Sequence, residues 1–324
     1  MKILFAAPEN AWGGFLGRIR SELPQHHFEA SGRFEVDSLK GFDVLIPTMC
    51  SVTRKLIEKA DQLKLIQQCG AGIESIDLNA AWEKNIWVAN VPTDISGNAD
   101  SVAELGIYLM IGLSRDVRGM ALSLANRKMG EPPGRSLNKK TVGIVGLGGI
   151  GKALIKRLKP FGVNLIGIKR DNPEKAMKLL GLDWVGGTED LTELLEKSDF
   201  VVLCLPSSPE TKHLIDRNAF YSMKQNAFLI NLSRGGLIDR DAMLEALKSK
   251  RIAGVGLDVF WEEPPNPDDP VFKYNVMATP HIAGSTDISM DGIVKVVKEN
   301  ICKVEKNQRP FYCFIYTDSF NSRL

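Results

Sequence analysis

Four short stretches carry residue types that can do chemistry. The first, Gly146-Leu147-Gly148-Gly149-Ile150-Gly151, has the G-x-G-x-x-G spacing. Alone this spacing is a weak signal. Here an apolar run, Thr141–Val145, precedes it, an amphipathic segment to Phe161 follows, and a second apolar run comes next. In that setting each glycine has a task. Gly146 permits a tight turn, Gly148 lets backbone approach a pyrophosphate with no Cβ in the way, and Gly151 lets a helix pack closely. Backbone N–H groups at the helix start, at Gly149 and Ile150, would face the phosphates, and the helix dipole favours their charge. The bland alternative is a strand–helix turn with no ligand. The other stretches are NLSRGGLID (Asn231–Asp239), LDVFWEEPP (Leu257–Pro265) and TPHIAGST (Thr279–Thr286). Each follows an apolar run where a strand should end, the edge at which open α/β sheets bind ligands. Together they bring Arg234, Glu263 and His281 to one rim. Singly, Arg234 could be a surface ion-pair partner, Glu263 a solvated acid before Pro264, and His281 a capping residue.

The elements that must position these residues follow from apolar periodicity. Thr141–Val145, Val163–Ile168, Phe200–Leu205, Ala227–Asn231, Ala253–Leu257 and Val276–Ala278 read as six strands. Helix signals separate most of them: Asn172-Pro173 as cap and first-turn proline, Asp190 before Leu191–Lys197, and Asp239 before Arg240–Ser249. Strands alternating with helices imply parallel pairing and a doubly wound sheet. Upstream, Lys2–Ala7, Asp43–Ile46, Leu63–Gln67 and Ile86–Ala89 read as strands, with a helix at Thr53–Ala60. They form an α/β unit without a phosphate-binding turn. A long helix is expected from about Ser101 to Arg118, capped by Asn98 or Asp100, and then a polar joining loop over Asn126–Lys140. A last helix, Ile288 to Asn307, should return to the first body. The expected division is therefore 1–98 completed by 286–324, and 99–285.

Bulk properties narrow the function classes. A chain of 324 residues suits two domains of ~100–200 residues each. Hydrophobic residues at 44% and charged residues at 25% are ordinary for a soluble globular protein. A net charge of +2 gives no electrostatic reason to propose nucleic acid or an anionic membrane as partner. No apolar run approaches the ~20 residues of a membrane span, and Met1–Ala7 reads as a first strand, not a secretory signal. The five cysteines lack CxxC spacing and the four histidines do not cluster with them. Free thiols, no metal site and a cytoplasmic setting are the expectation.

With these motifs in place the chain resembles the D-isomer-specific 2-hydroxyacid dehydrogenases, from roughly Leu63 to Gly284. Asn231–Gly236 matches the family's arginine motif, Asp258-Val259-Phe260 with Glu263-Pro264 its glutamate motif, and Thr279-Pro280-His281 its histidine motif. QCGAGIESID (Gln68–Asp77) is similar to its carboxylate-binding glycine loop, and NADSVAELGIYLMI (Asn98–Ile111) to its long helix beside the nicotinamide. The resemblance implies two doubly wound α/β domains. One is a six-stranded Rossmann dinucleotide-binding domain, the other a discontinuous flavodoxin-like substrate domain. It implies hydride transfer between a nicotinamide cofactor and a small 2-keto or 2-hydroxy acid. His281 would be the general acid/base and would also border the cofactor, Glu263 its partner, and Arg234 the substrate clamp. Backbone N–H groups of Ala71 and Gly72 would bind the substrate carboxylate, Pro206 would touch the cofactor, and Asp258 would meet the nicotinamide amide. A homodimer is implied, with the long helix at the interface. Trp12, Trp82, Trp87 and Trp184 read as packing residues.

The tip of the second Rossmann strand is where cofactors are told apart. LIGIKRD (Leu165–Asp171) ends in Lys169 and Arg170, where NAD-dependent members usually place an aspartate that holds the ribose hydroxyls. Two cations there suit a 2′-phosphate, so NADP(H) is the expected cofactor, with NAD(H) as the alternative if Asp171 turns back to the ribose. Asp171 could instead help cap the next helix, and the cations could be solvated. Glyoxylate or hydroxypyruvate reduction with NADPH is the leading expectation. The alternatives are an NAD-dependent D-3-phosphoglycerate, D-lactate or phosphite dehydrogenase, or a nucleotide-sensing scaffold.

Overall fold

The structure is a computed structural model that describes residues 1–314, in two compact units: 1–98 with Ser285 onward, and 99–284. The first unit is built on β1 (Lys2–Phe5), α1 (Ala11–Glu22), β2 (His27–Ala30), β3 (Val44–Ile46), α2 (Arg54–Glu58), β4 (Leu65–Gln67), α3 (Leu78–Glu83) and β5 (Trp87–Ala89). Its strands are all parallel in the order β2-β1-β3-β4-β5. That is the flavodoxin-like order, with β1 and β3 flanking the switch point. Side chains of the central strands alternate between two buried clusters. Ile3, Phe5, Val44 and Ile46 join one, while Leu4, Ala6 and Leu45 join the other. A sheet buried on both faces reads as a continuous apolar run, which is why these strands are visible in the sequence.

Two elements of this unit lie beyond the sequence reading. Edge strand β2, His27-Phe28-Glu29-Ala30, buries only Phe28 fully, so it shows no apolar run. Helix α1 opens with Trp12, Gly13 and Gly14 in left-handed conformations before Phe15, Leu16 and Ile19 turn into the core. Asp77 caps α3 by accepting from the Ala80 N–H. The tail continues along β5: Phe314 N–H donates to Val88 O at 2.8 Å and Cys313 bridges Ala89 in antiparallel fashion. The remainder of the aromatic tail, to Asp318, lies outside the described residues.

The long helix α4 (Asn98–Ser114) begins three residues before the expected start, so that Asn98 is its first residue, and ends four residues before the expected end. Asp116 adopts a left-handed conformation and its carboxylate accepts from the Gly119 N–H, so the chain restarts as α5 (Val117–Ala125). The apolar spacing runs on through Val117, and for this reason the break is not legible. Asp100 lies in the first turn of α4, where its carboxylate pairs with Arg157 at 2.6 Å.

The second unit continues with β6 (Thr141–Val145), α6 (Gly149–Leu158), β7 (Asn164–Ile168), α7 (Pro173–Leu180), β8 (Trp184–Gly186), α8 (Leu191–Lys197), β9 (Phe200–Leu203), α9 (Arg217–Ser222), β10 (Phe228–Asn231), α10 (Arg240–Lys248), β11 (Gly254–Leu257) and β12 (Val276–Ala278). The sheet is parallel throughout in the order β12-β11-β10-β9-β6-β7-β8. It has seven strands where the sequence predicts six. The added strand is β8, a three-residue edge strand with only Gly186 buried, too short and too exposed to leave an apolar signature. Two cap expectations change as well. Asn172 precedes Pro173 of α7 in a left-handed conformation with no capping bond, and Asp190 accepts from the Gly187 N–H in the turn before α8. Asp239 caps α10 as predicted, accepting from the N–H groups of Asp241 and Ala242. Finally α11 (Asp287–Glu305) belongs to the first unit, where Asn300 donates to buried Gln67 at 2.7 Å.

Candidate active site

Three neighbouring strand ends in the second unit build one cluster. Register places Asn231 of β10 beside Leu257 of β11, and Leu257 beside Ala278 of β12. The residues that follow these positions therefore share one edge of the sheet. From β12 the chain turns at Thr279-Pro280-His281, where His281 is left-handed at φ 53°. His281 Nδ1 lies 2.8 Å from Glu263 Oε2. The other oxygen, Oε1, accepts from the Phe260 N–H at 2.9 Å.

The protonation of this pair follows from its surroundings. Burial alone would raise the Glu263 carboxyl. The His281 hydrogen bond and charge, the Phe260 N–H and the Arg234 charge together outweigh it and hold the carboxyl below its ordinary range. Glu263 is thus an ionised acceptor at neutral pH, and the proton of its bond to His281 sits on Nδ1. That assignment leaves Nε2 as the nitrogen that could exchange a proton with a ligand.

Arg234 follows β10 through a loop held by its own side chains. Asn231 Oδ1 accepts from the Ser233 N–H at 3.0 Å while Asn231 Nδ2 donates to Arg234 O at 2.8 Å, and Ser233 Oγ donates to Leu203 O at 3.0 Å. Next comes Gly235, packed against the Phe260–Trp261 backbone that leads to Glu263. A Cβ at Gly235 would lie 2.1 Å from the Phe260 carbonyl carbon and oxygen. That contact docks the arginine loop on the glutamate loop. We expect Gly235→Ala to cost about 1–3 kcal/mol, the usual scale of overpacking, and to lower Tm in thermal denaturation together with kcat/KM. An unchanged Tm and activity would show that the two loops are not fixed by this contact.

Asp258 is nearly fully buried behind the histidine turn. Its Oδ1 accepts from Thr279 Oγ1 at 2.7 Å and Ile282 N–H at 2.9 Å, and its Oδ2 from Ala283 N–H at 3.0 Å. Burial raises its carboxyl above the ordinary aspartate range, although these donors and the His281 charge oppose the shift. Asp258 thus holds the Thr279 side chain before His281 and the backbone after it, a use beyond the nicotinamide contact expected from the motif.

The glycine turn lies on the same unit, between β6 and α6. Gly146 has φ +100°, and a Cβ there would lie 2.8 Å from the Cys204 carbonyl carbon and oxygen. At Gly151 a Cβ would lie 2.3 Å from Gly146 O, so this glycine packs the helix onto the turn itself. Gly148, the N-cap of α6, has no heavy atom within 4 Å of its Cβ position. An open space before a helix N-terminus is a cradle suited to a pyrophosphate. Gly149 and Ile150 open the helix there. On one side, β7 ends with Ile168 in register with Val145, so Lys169 emerges beside the turn. Arg170 is exposed and pairs loosely with Asp171 at 3.6 Å. On the other side Pro206 follows β9, exposed, with its carbonyl accepting from Thr211 Oγ1 at 3.1 Å. The residues present fit a dinucleotide.

Residues 107–283 match the family model of the D-isomer specific 2-hydroxyacid dehydrogenases, NAD binding domain. The chain belongs to this family. It is 39% identical over 277 residues to D-3-phosphoglycerate dehydrogenase of Methanocaldococcus jannaschii, a match covering 84% of this chain and 52% of that protein. It is 35% identical over 286 residues to glyoxylate reductase of Thermococcus litoralis, covering 85% of this chain and 84% of that protein. This chain thus spans about half the length of the first relative and most of the second. NAD-dependent formate dehydrogenase from Staphylococcus aureus in complex with NAD superposes with a TM-score of 0.80 at 29% identity, covering 98% of this chain and 99% of that one.

Ala71 and Gly72 lie in the first unit, at the C-terminal edge of its sheet between β4 and α3, with Ala71 exposed and Gly72 partly so. Sequence reasoning missed the supports of the family site: Asn231, Ser233 and the Phe260 N–H. Asn231 carries a usable signal, since an asparagine at a strand end with serine two places on is Asx-turn chemistry. Among the described residues, no group of three or more histidine, cysteine and acidic side chains could hold a metal ion, and no helix is long and apolar enough to cross a membrane.

Proposed function

We propose that the protein reduces a small 2-keto acid, glyoxylate or hydroxypyruvate, using NADPH. The observation that carries this reading is the 2.8 Å pair of His281 Nδ1 and Glu263 at the strand end next to the Arg234 loop. When bound, the nicotinamide supplies a hydride to the carbonyl carbon. As that hydride arrives, the carbonyl oxygen gains negative charge, and protonated His281 donates to it from Nε2. Glu263 stabilises the imidazolium and keeps its Nδ1 protonated. Arg234 holds the substrate carboxylate and leans on the carbonyl oxygen with its fork of donors, an electrostatic clamp. Ala71 and Gly72 contribute backbone N–H groups to the carboxylate. Pro206, Asp258 and His281 border the cofactor, and Gly146, Gly148, Gly149, Ile150 and Gly151 form its phosphate turn. In this reading the unit 99–284 binds dinucleotide and supplies Arg234, Glu263 and His281.

Lys169 and Arg170 support the NADPH assignment. Each charge-assisted bond to a 2′-phosphate is worth about 1.5–3 kcal/mol. Arg170 is 72% exposed and its 3.6 Å pair with Asp171 is too weak to withhold it from a dianion. A panel of 2-keto acids assayed with both NADPH and NADH tests the function. Turnover of glyoxylate or hydroxypyruvate with NADPH is expected. Oxidation of D-3-phosphoglycerate with NAD instead would favour the second reading, which the 39% identity to a phosphoglycerate dehydrogenase supports. Tight cofactor binding with no turnover of any substrate would point to a sensing scaffold.

A second copy of this chain is the proposed partner. Helix α5 buries no residue, and Met120, Leu122 and Leu124 are 42%, 64% and 79% exposed, with Tyr108 and Ile111 of α4 also open. Large apolar side chains left open along one helix suit a protein–protein interface. Sedimentation equilibrium is expected to give a dimer that Leu122→Asp converts to monomer. A monomeric wild type would remove the assignment.

A further inference from the structure

The loop Gly70-Ala71-Gly72 has both of its inner carbonyls tied to the segment that follows β5. Val91 N–H donates to Gly70 O at 3.3 Å. Asn90 Nδ2 donates to Ala71 O at 2.7 Å, a side-chain bond that spans 19 residues of sequence. Both peptides are trans. A trans peptide is planar, and its N–H points away from its C=O. Holding Gly70 O therefore fixes the direction of the Ala71 N–H, and holding Ala71 O fixes that of the Gly72 N–H. Among the described residues neither N–H donates to a backbone carbonyl. Asn90 is itself placed by the backbone: it directly continues β5, and its N–H donates to Tyr312 O in the tail at 3.4 Å.

We propose that Asn90 is a positioning residue for the substrate carboxylate. By holding Ala71 O it keeps the Gly72 N–H parallel to that of Ala71, so that both donate to one end of the substrate. This inference rests on the proposed reductase function, in which that end is the carboxylate of a 2-keto acid. Two preorganised donors act on an anion without the cost of orienting the loop at each binding event.

Two substitutions and one carboxylate probe test it. Asn90→Asp keeps the shape but sets a carboxylate oxygen against Ala71 O, so the peptide is driven to turn. Asn90→Ala removes the tie alone and serves if the aspartate variant does not fold. Oxamate, an isostere of a 2-keto acid, is titrated into the NADPH-loaded protein, and KM and kcat are measured separately. Both variants are expected to raise the oxamate Kd and the keto-acid KM about tenfold, the scale of one hydrogen bond to a charged group, with kcat and NADPH affinity nearly unchanged. A general structural role would move NADPH affinity or kcat as well. Wild-type affinity for oxamate in both variants would overturn the role of Asn90 and leave the reductase function standing. A wild type that neither binds oxamate nor turns over any keto acid would overturn the function, and this inference with it.

Discussion

His281→Ala is expected to lower turnover by about 10²–10⁴-fold, the scale of losing a general acid, and to leave NADPH affinity almost untouched. The size follows from the site's construction. Glu263 is an ionised acceptor with one oxygen on the Phe260 N–H and the other on His281 Nδ1. An alanine at 281 leaves that carboxylate buried with a lost partner and leaves the carbonyl oxygen to water. The His281 side chain is 32% exposed, so its removal opens little core and Tm should shift only modestly. Steady-state kcat and a fluorescence titration of NADPH check both halves of the expectation. A variant with near-wild-type turnover would take His281 out of the mechanism.

Removing both cations from the β7 tip should abolish the cofactor preference. In the proposed NADPH reading, Lys169→Ala with Arg170→Ala would delete one or two charge-assisted bonds to the 2′-phosphate. At about 1.4 kcal/mol per tenfold, kcat/KM for NADPH falls by tens to thousands. NADH, which has no 2′-phosphate, should be affected little. The effect on NADPH should also weaken as salt rises, because the site is exposed and screened. The ratio of kcat/KM for the two cofactors, measured in wild type and double variant, reports it. An unchanged ratio would mean that these cations face solvent and that another residue, Asp171 first, governs the choice.

Much of the architecture is legible in the sequence because both sheets are buried on both faces. Their inner strands appear as apolar runs, and helix signals between them dictate parallel order. What stays hidden is short and half-exposed. β2 and β8 are edge strands of four and three residues whose side chains mix aromatic, charged and small types. The end of α4 is hidden for a different reason. The apolar spacing continues across Asp116, and only the left-handed backbone there breaks the helix. Asn172 shows the limit of cap signatures: it stands in the cap position before a first-turn proline, yet makes no capping bond.

The candidate site divides along the same line. Arg234, Glu263 and His281 can be picked out because each follows the end of an apolar strand, and chain order β10, β11, β12 is also spatial order. The groups that orient them cannot be read this way. Asp258 reaches the Ile282 N–H across 24 residues, and Asn90 reaches Ala71 O across 19. Bonds from a side chain to distant backbone leave no periodicity and no local motif. They become visible only when the strands that carry them are in register.

The central claim is that this chain moves a hydride from a nicotinamide to the carbonyl carbon of a 2-keto acid and makes the D-isomer. The most direct measurement uses NADPH deuterated at both C4 positions with hydroxypyruvate, followed by mass spectrometry and chiral chromatography of the product. One deuterium at C2 of D-glycerate is the predicted result. Unlabelled product or L-glycerate would contradict it.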